Sequence, residues 1–189
     1  MEYAVVRLRA LLRTAAAAVA LTALPALALA QESVEAVWVP RHVSFVYQAF
    51  TTHYSCDGLR ESIRDLLARL GARDLKVQAY GCTSFGIEPF PGVRVTMRVL
   101  VPAASTHDHE AGPVVRAHWQ NVVLMPSNAE LQEQGNCELI EQFKETFLPL
   151  FTTRHIDYQS NCIPHQLTLG THLSAEALMP NAAHRQDHR

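Results

Sequence analysis

The sequence lacks the short motifs that mark many enzymes and nucleotide-binding domains. It contains no C-x-x-C pair, no G-x-S-x-G turn and no glycine-rich phosphate-binding loop. These absences argue against thiol–disulfide exchange, a serine-hydrolase elbow and P-loop chemistry. The sequence also contains no run of basic residues of the kind that binds nucleic acids. We therefore expect a protein that is not an enzyme and that uses no cofactor.

Long apolar runs are also scarce, and the single one lies at the N-terminus. Three arginines precede the run at 14–24, which is shorter than the roughly 20 residues of a membrane-spanning helix. The small residues Ala28 and Ala30 then form an A-x-A cleavage motif. This order predicts a secretory signal peptide over 1–30, although a retained anchor stays open as the alternative.

The route of export follows from two further absences. No twin-arginine pair precedes the apolar run, and no cysteine follows the cleavage motif. General secretion to the periplasm or the medium is therefore favoured over twin-arginine export or lipoprotein anchoring.

The charge of the remaining chain is close to balanced. Residues 1–30 hold three Arg and one Glu, which leaves 13 of 16 basic and 17 of 18 acidic residues and a formal charge of −4. No second apolar run follows, so we expect no membrane span once the signal is removed. We expect a partner that is an unknown protein or small ligand of the cell envelope.

All four cysteines lie after the predicted signal, at Cys56, Cys82, Cys137 and Cys162. An even number of cysteines in an oxidising compartment predicts two disulfides. The alternative is a metal site with four thiolate ligands, which the missing C-x-x-C knuckle disfavours.

An internal repeat selects the pairing. The segments that begin at Cys56 and Cys137 carry matching helical apolar stripes, and each leads to a strand that ends in a second cysteine. In a right-handed β-α-β crossover, the helix start and the end of the second strand lie at the same sheet edge. The repeat therefore predicts the bridges Cys56–Cys82 and Cys137–Cys162, each contributing about 3.5 kcal/mol for a loop of about 25 residues.

The strand pattern completes the fold prediction. We expect an α+β fold of two β-α-β units plus an extra strand, a ferredoxin-like sandwich of a mostly antiparallel sheet with two helices on one face. The slip of one residue between the repeats predicts a bulge at Gly81. The five predicted strands are 42–50, 75–79, 93–101, 114–125 and 156–160.

The domain boundaries follow from the same pattern. We expect a single disulfide-bonded domain at 31–173, which begins with a short lead-in at 31–40. The small and polar residues at 174–189 predict a flexible C-terminal tail.

The predicted function is a non-enzymatic binding or envelope-accessory module. The sheet face that carries Arg94, Thr96 and Arg98 is a candidate binding surface, with His118 and Gln120 on the next strand. The same face could equally be only solvated.

A metal-binding protein is the alternative function. His107 and His109 are separated by Asp108 and followed by Glu110, and an extended loop would point both imidazoles in the same direction. A solvated loop is the favoured interpretation of the pair, because the sequence indicates no third ligand.

The stretch 54–59 (YSCDGL), followed by 70–75 (LGARDL) and by Gly81 and Cys82, resembles a group of uncharacterised exported bacterial proteins. The resemblance covers residues 40–125 and implies export and a small disulfide-bonded domain. It implies no activity and no functional residues.

Deletion of residues 1–30 tests the link between export and folding. We expect the truncated chain to accumulate in the cytoplasm in a reduced and poorly stable form, because both bridges need an oxidising compartment. Thiol alkylation of the product measures its redox state. A cytoplasmic product that is as stable as the exported one, with all four thiols free, would contradict the prediction.

Overall fold

The computed structural model describes residues 32–48, 50–83, 86–105, 112–125, 137–163 and 171–181. The predicted signal peptide, with Ala28 and Ala30, lies outside these residues. The elements in chain order are β1 (Ser33–Val46), β2 (Tyr54–Ser55), α1 (Cys56–Arg69), β3 (Arg73–Tyr80), β4 (Ile87–Glu88), β5 (Gly92–Pro102), β6 (Val114–Val123), α2 (Cys137–Thr146), β7 (Thr153–Gln159) and β8 (His172–Pro180).

Six strands form one antiparallel sheet in the order β3-β5-β1-β6-β8-β7, and β2 pairs with β4 in a small second sheet. The predicted α+β class, with two helices and a mostly antiparallel sheet, is confirmed in the described residues. The predicted number of five strands is wrong, because β8 enters the main sheet between β6 and β7.

The alternation along β5 divides the sheet into two faces. Val93, Val95 and Met97 are buried, while Arg94 and Thr96 are exposed on the opposite face, which we call the outer face. Both helices pack their apolar stripes into the same main core as these valines. The helix residues in this core are Leu59, Ile63, Leu66, Leu67, Leu139, Ile140 and Phe143. Neither described helix has the length and apolar content needed to cross a membrane.

Local signals fix the ends of α1 where the sequence places them. Ser55 caps the helix by accepting a hydrogen bond from the amide of Gly58 at 3.1 Å. Gly71 ends it with a φ of 84°, a left-handed conformation that glycine adopts without strain. A side chain at Gly71 would also lie 2.5 Å from the sulfur of Met179, so the end of that methionine would have to move.

Strand β8 corrects the prediction of a flexible tail from Ser174. Leu173, Ala175 and Ala177 are fully buried, and Leu178 is buried on the outer face. The alternation was present in the sequence, but alanine has a low strand propensity and hides it. Small side chains are suited to this strand because it is covered on both faces.

Strand β1 corrects the prediction of a lead-in at 31–40. It begins at Ser33, nine residues before the predicted start at His42, and its first five residues pair with β6. The predicted bulge at Gly81 is also misplaced. The register shifts lie between Arg73 and Lys76 and between Arg154 and Asp157, in the strands that follow the two helices.

Both predicted disulfides are present. Cys56 is bonded to Cys82 and Cys137 to Cys162, with Cα–Cα distances of 6.1 and 5.6 Å. Each bridge joins a helix start to the chain just after the following strand, which is the geometry that the repeat predicts.

The internal repeat extends beyond the helices. Arg73 stacks over Trp38 at 4.8 Å, and Arg154 stacks over Trp119 at 4.3 Å. Both partners in the second pair lie 81 residues after their counterparts in the first pair. Asp74 and the equivalent His155 share the same unusual φ of 50°. The two halves therefore repeat their backbone geometry as well as their apolar pattern.

Replacement of Leu173 by alanine tests the role of β8. We expect the free energy of unfolding to fall by about 2–5 kcal/mol, because Leu173 is fully buried in the main core. Urea unfolding measures the change. Val123→Ala is the control, since this valine is 44% exposed, and we expect its effect to be about 0.5 kcal/mol or less. Equal effects of the two changes would show that β8 is not part of the folded core.

Candidate functional site

A cleft of about 610 Å³ lies between the end of β1 and helix α2. Phe45 and Val46 belong to its β1 wall, and the Cys137–Cys162 bridge borders it through Cys162. Its size falls in the range of small-molecule sites, which combine apolar walls with a few polar groups.

The register of the sheet leaves room for this cleft. Pairing between β1 and β6 ends at Val37 opposite Val114, while β1 continues to Val46 with β5 alone. Just beyond β1, Gln142 of α2 bonds the main chain of Gln48. Its side-chain oxygen accepts from the amide of Gln48, and its side-chain nitrogen donates to the carbonyl, both at 2.9 Å. The helix thus supplies the hydrogen bonds that a neighbouring strand would supply.

A buried carboxylate lies at the end of the cleft where the loop after β1 meets the first turn of α2. Glu138 is only 8% exposed. Its Oε2 accepts hydrogen bonds from the consecutive amides of Phe50, Thr51 and Thr52 at 3.1, 3.1 and 3.4 Å. These bonds tie the loop after β1 to the first turn of α2, across almost half of the chain.

The same contacts control the charge of Glu138. Burial acts to raise its pKa, but the amides of Thr51 and Phe50, the side chain of Thr51 and the amide of Thr52 outweigh burial and hold the pKa below its usual value. The carboxyl group is therefore ionised at neutral pH. Its other oxygen, Oε1, is buried and makes no hydrogen bond of normal geometry with the described residues.

Two buried tyrosines, Tyr47 and Tyr54, lie next to the carboxylate. The hydroxyl of Tyr47 lies 2.8 Å from the carbonyl oxygen of Thr52 and 3.2 Å from Oε2 of Glu138. Burial and the neighbouring Glu138 charge raise the pKa of Tyr47 and of Tyr54, so both phenols stay protonated. Their rings meet edge to face at 5.2 Å, which fixes the Tyr47 hydroxyl beside the carboxylate.

The open part of the cleft is both acidic and apolar. Glu141 and Glu145 follow Glu138 along α2 at helical spacing and line the same cleft. None of the described residues that line it is basic. Phe50 and Val46, which are 51% and 45% exposed, add apolar surface. This combination suits a ligand that carries a positive charge on an apolar body.

The candidate surface predicted from sequence is only partly present. Arg94 and Thr96 are exposed on the outer face, and Arg98 is half-buried there. His118 and Gln120 do not share this face, because the register places them opposite Met179 and Ala177 on the core side. Trp119 lies on the outer face instead, because adjacent strand residues alternate and the sequence does not show which set of β6 residues shares a face with Arg94.

The predicted metal ligands His107 and His109 lie outside the described residues, so a metal site at that loop stays a prediction. Within the described ranges, no three histidine, cysteine or acidic side chains are grouped so that they could hold a metal ion.

Sequence patterns did not indicate Glu138. An acidic residue in the first turn of a helix is common because it favours the helix dipole, and nothing local marks this one as buried. Its partners lie 86 to 88 residues earlier in the chain. Only the packing of α2 beside β1 brings them together.

Comparison of the chain with protein-family models, with curated proteins and with solved structures finds no match. The resemblance to exported bacterial proteins therefore stays a prediction, and the functional argument depends on the geometry of the cleft.

Replacement of Glu138 by glutamine tests the anchor. At neutral pH we expect the free energy of unfolding to fall by about 1–3 kcal/mol, because the amides of 50–52 lose a charged acceptor. Since the folded pKa is lowered, the carboxylate stabilises the fold above the unfolded pKa of about 4.3, and this stability is lost as pH falls through the folded pKa.

Urea unfolding of both proteins over a pH series measures the effect. The difference between them should be largest near neutrality and should shrink in acid. Glu145→Gln on the same helix is the control, and we expect a change of less than about 0.5 kcal/mol at neutral pH. A Glu138→Gln effect that is independent of pH would contradict the role of its charge.

Proposed function

We propose that the protein is an exported, non-enzymatic binding module whose cleft between β1 and α2 holds a cationic ligand with an apolar part. The observation that supports this most directly is Glu138. It is an ionised, buried carboxylate at the cleft, and its Oε1 accepts no hydrogen bond of normal geometry from the described residues. A buried charged oxygen without a partner is costly, and the positive charge of a cation bound in the adjacent cleft would reduce that cost.

The surroundings of Glu138 support the same ligand chemistry. Glu141 and Glu145 extend the negative charge along the cleft, and Phe50 offers an exposed aromatic ring. An aromatic ring beside carboxylates favours an organic ammonium group over a bare metal ion, since the ring contacts the apolar part and can attract the cation.

Export is the second part of the proposal. The two disulfides hint at an oxidising compartment outside the cytoplasm. The predicted signal peptide at 1–30 extends this to the periplasm or the medium. We propose that the envelope or its surroundings supplies the ligand.

The ferredoxin-like arrangement of the two β-α-β units is likewise a proposal. It is supported by the antiparallel pairing of β1 and β3 with β5 between them, which makes β1 and β3 parallel. The strands β6 and β7 flank β8 in the same way.

Thermal unfolding of the purified mature protein tests the ligand class. We expect phenethylamine and spermidine to raise the melting temperature in proportion to the logarithm of their concentration, because a ligand that binds only the folded state stabilises it. Phenylacetate, which has the same ring and the opposite charge, should have no effect.

Two variants locate the binding. Glu141→Gln combined with Glu145→Gln should weaken amine binding about tenfold or more, since two charges of the cleft are lost. Glu61→Gln on α1, which removes one negative charge away from the cleft, is the control, and it should bind like the wild type. Equal shifts with phenylacetate and phenethylamine, or unchanged binding in the double variant, would refute the proposal.

A further inference from the structure

The outer face of β3, β5 and β1 carries a group of basic residues. Register pairs Arg73 with Arg98, Lys76 with Thr96, and Gln78 with Arg94. Paired residues of an antiparallel sheet point to the same side, so the four cations occupy successive rows of one face. His42 lies beside Thr96 on β1 and extends the same surface.

These cations are not neutralised by the described part of the protein. None of Arg73, Lys76, Arg94 and Arg98 forms an ion pair with a described carboxylate. The guanidinium of Arg94 lies 4.6 Å above the ring of Tyr80, and that of Arg73 stacks on Trp38. Stacking holds each guanidinium in place while its N–H groups stay available at the edges.

The second half of the repeat provides an internal comparison. Arg154, the counterpart of Arg73, donates to Glu176 at 2.6 Å and to Glu32 at 3.0 Å. Glu176 pairs with Arg154 on β8 just as Arg98 pairs with Arg73 on β5. The fold thus accommodates an arginine–glutamate pair at this position of the second half. The arginine–arginine pair at the same position of the first half is therefore not a requirement of the fold.

Apolar side chains lie at one end of the basic face. Tyr80 covers Gly92, where a side chain would collide with its ring, and Val46 pairs with the same glycine from β1. The connection from β3 to β5 carries Ile87 and Phe90, which are 67% and 62% exposed. Exposed apolar residues at the rim of a basic surface are typical of proteins that rest on membranes.

We propose that this face docks on an anionic phospholipid surface. The positive group contrasts with the net charge of −4 of residues 31–189, so the attraction is local to this face. Phosphate headgroups are suitable partners for the N–H edges of the arginine side chains, because guanidinium groups bind phosphate oxygens bidentately. The faces of Tyr80 and Trp38 are covered by guanidinium groups, which disfavours stacking on the sugar rings of a glycan.

Vesicle sedimentation of the mature protein tests the docking. We expect binding to vesicles of 30% phosphatidylglycerol in phosphatidylcholine and none to pure phosphatidylcholine, with most binding lost at high salt. Lys76→Glu combined with Arg94→Glu should reduce the partition coefficient about 25-fold or more, because each basic residue near an anionic surface contributes about fivefold. Both side chains are exposed, and circular dichroism verifies that the variant is folded.

The matched control is Arg64→Glu combined with Arg69→Glu, which makes the same change of net charge on exposed positions of α1. It should bind anionic vesicles within about threefold of the wild type. Equal loss in both double variants, or equal binding to both kinds of vesicle, would overturn the proposal. Retention on poly-aspartate beads without vesicle binding would assign the face to an acidic protein and would also overturn it.

Discussion

Five residue pairs between β1 and β6 hold the two halves of the sheet together. They join Ser33–Val37 to Val114–His118, and β6 is the sole strand of the second half that pairs with β1 in the described sheet. The pairing is centred on Glu35 opposite Arg116, which are themselves 81 residues apart. Opposite charges at facing positions favour this register over a slipped one. The core and the cleft, which are built from both halves, depend on this short junction.

The repeat explains why part of the fold is predictable from sequence. Two copies of one pattern give independent support to each helix and to each cysteine pairing, so Cys56–Cys82 and Cys137–Cys162 follow from spacing. Strand β8 is different, because its alanines are selected by coverage on both faces and not by strand propensity. The start of β1 is similar, since Ala36 and Trp38 are buried by contacts on the outer face that no local pattern records.

The candidate cleft could not be predicted for a different reason. Glu138 and Gln142 belong to one half of the repeat and the loop at 50–52 belongs to the other, so no pattern within either half signals their contacts. The outer face shows the same effect in its charges. Local alternation predicts that Arg94 and Thr96 lie on the same face. The strand pairs are needed to show that Arg98 and Glu176 occupy equivalent positions in the two halves and carry opposite charges.

The hydrogen bond between Tyr47 and Glu138 spans 91 residues of sequence. A contact of such high sequence separation costs the entropy of closing a long loop. Residues of both halves build the cleft, so it exists only when the two halves are packed together. A chain that crosses a membrane in an unfolded state would lack this cleft on the way and would acquire it only after both halves had met on the far side.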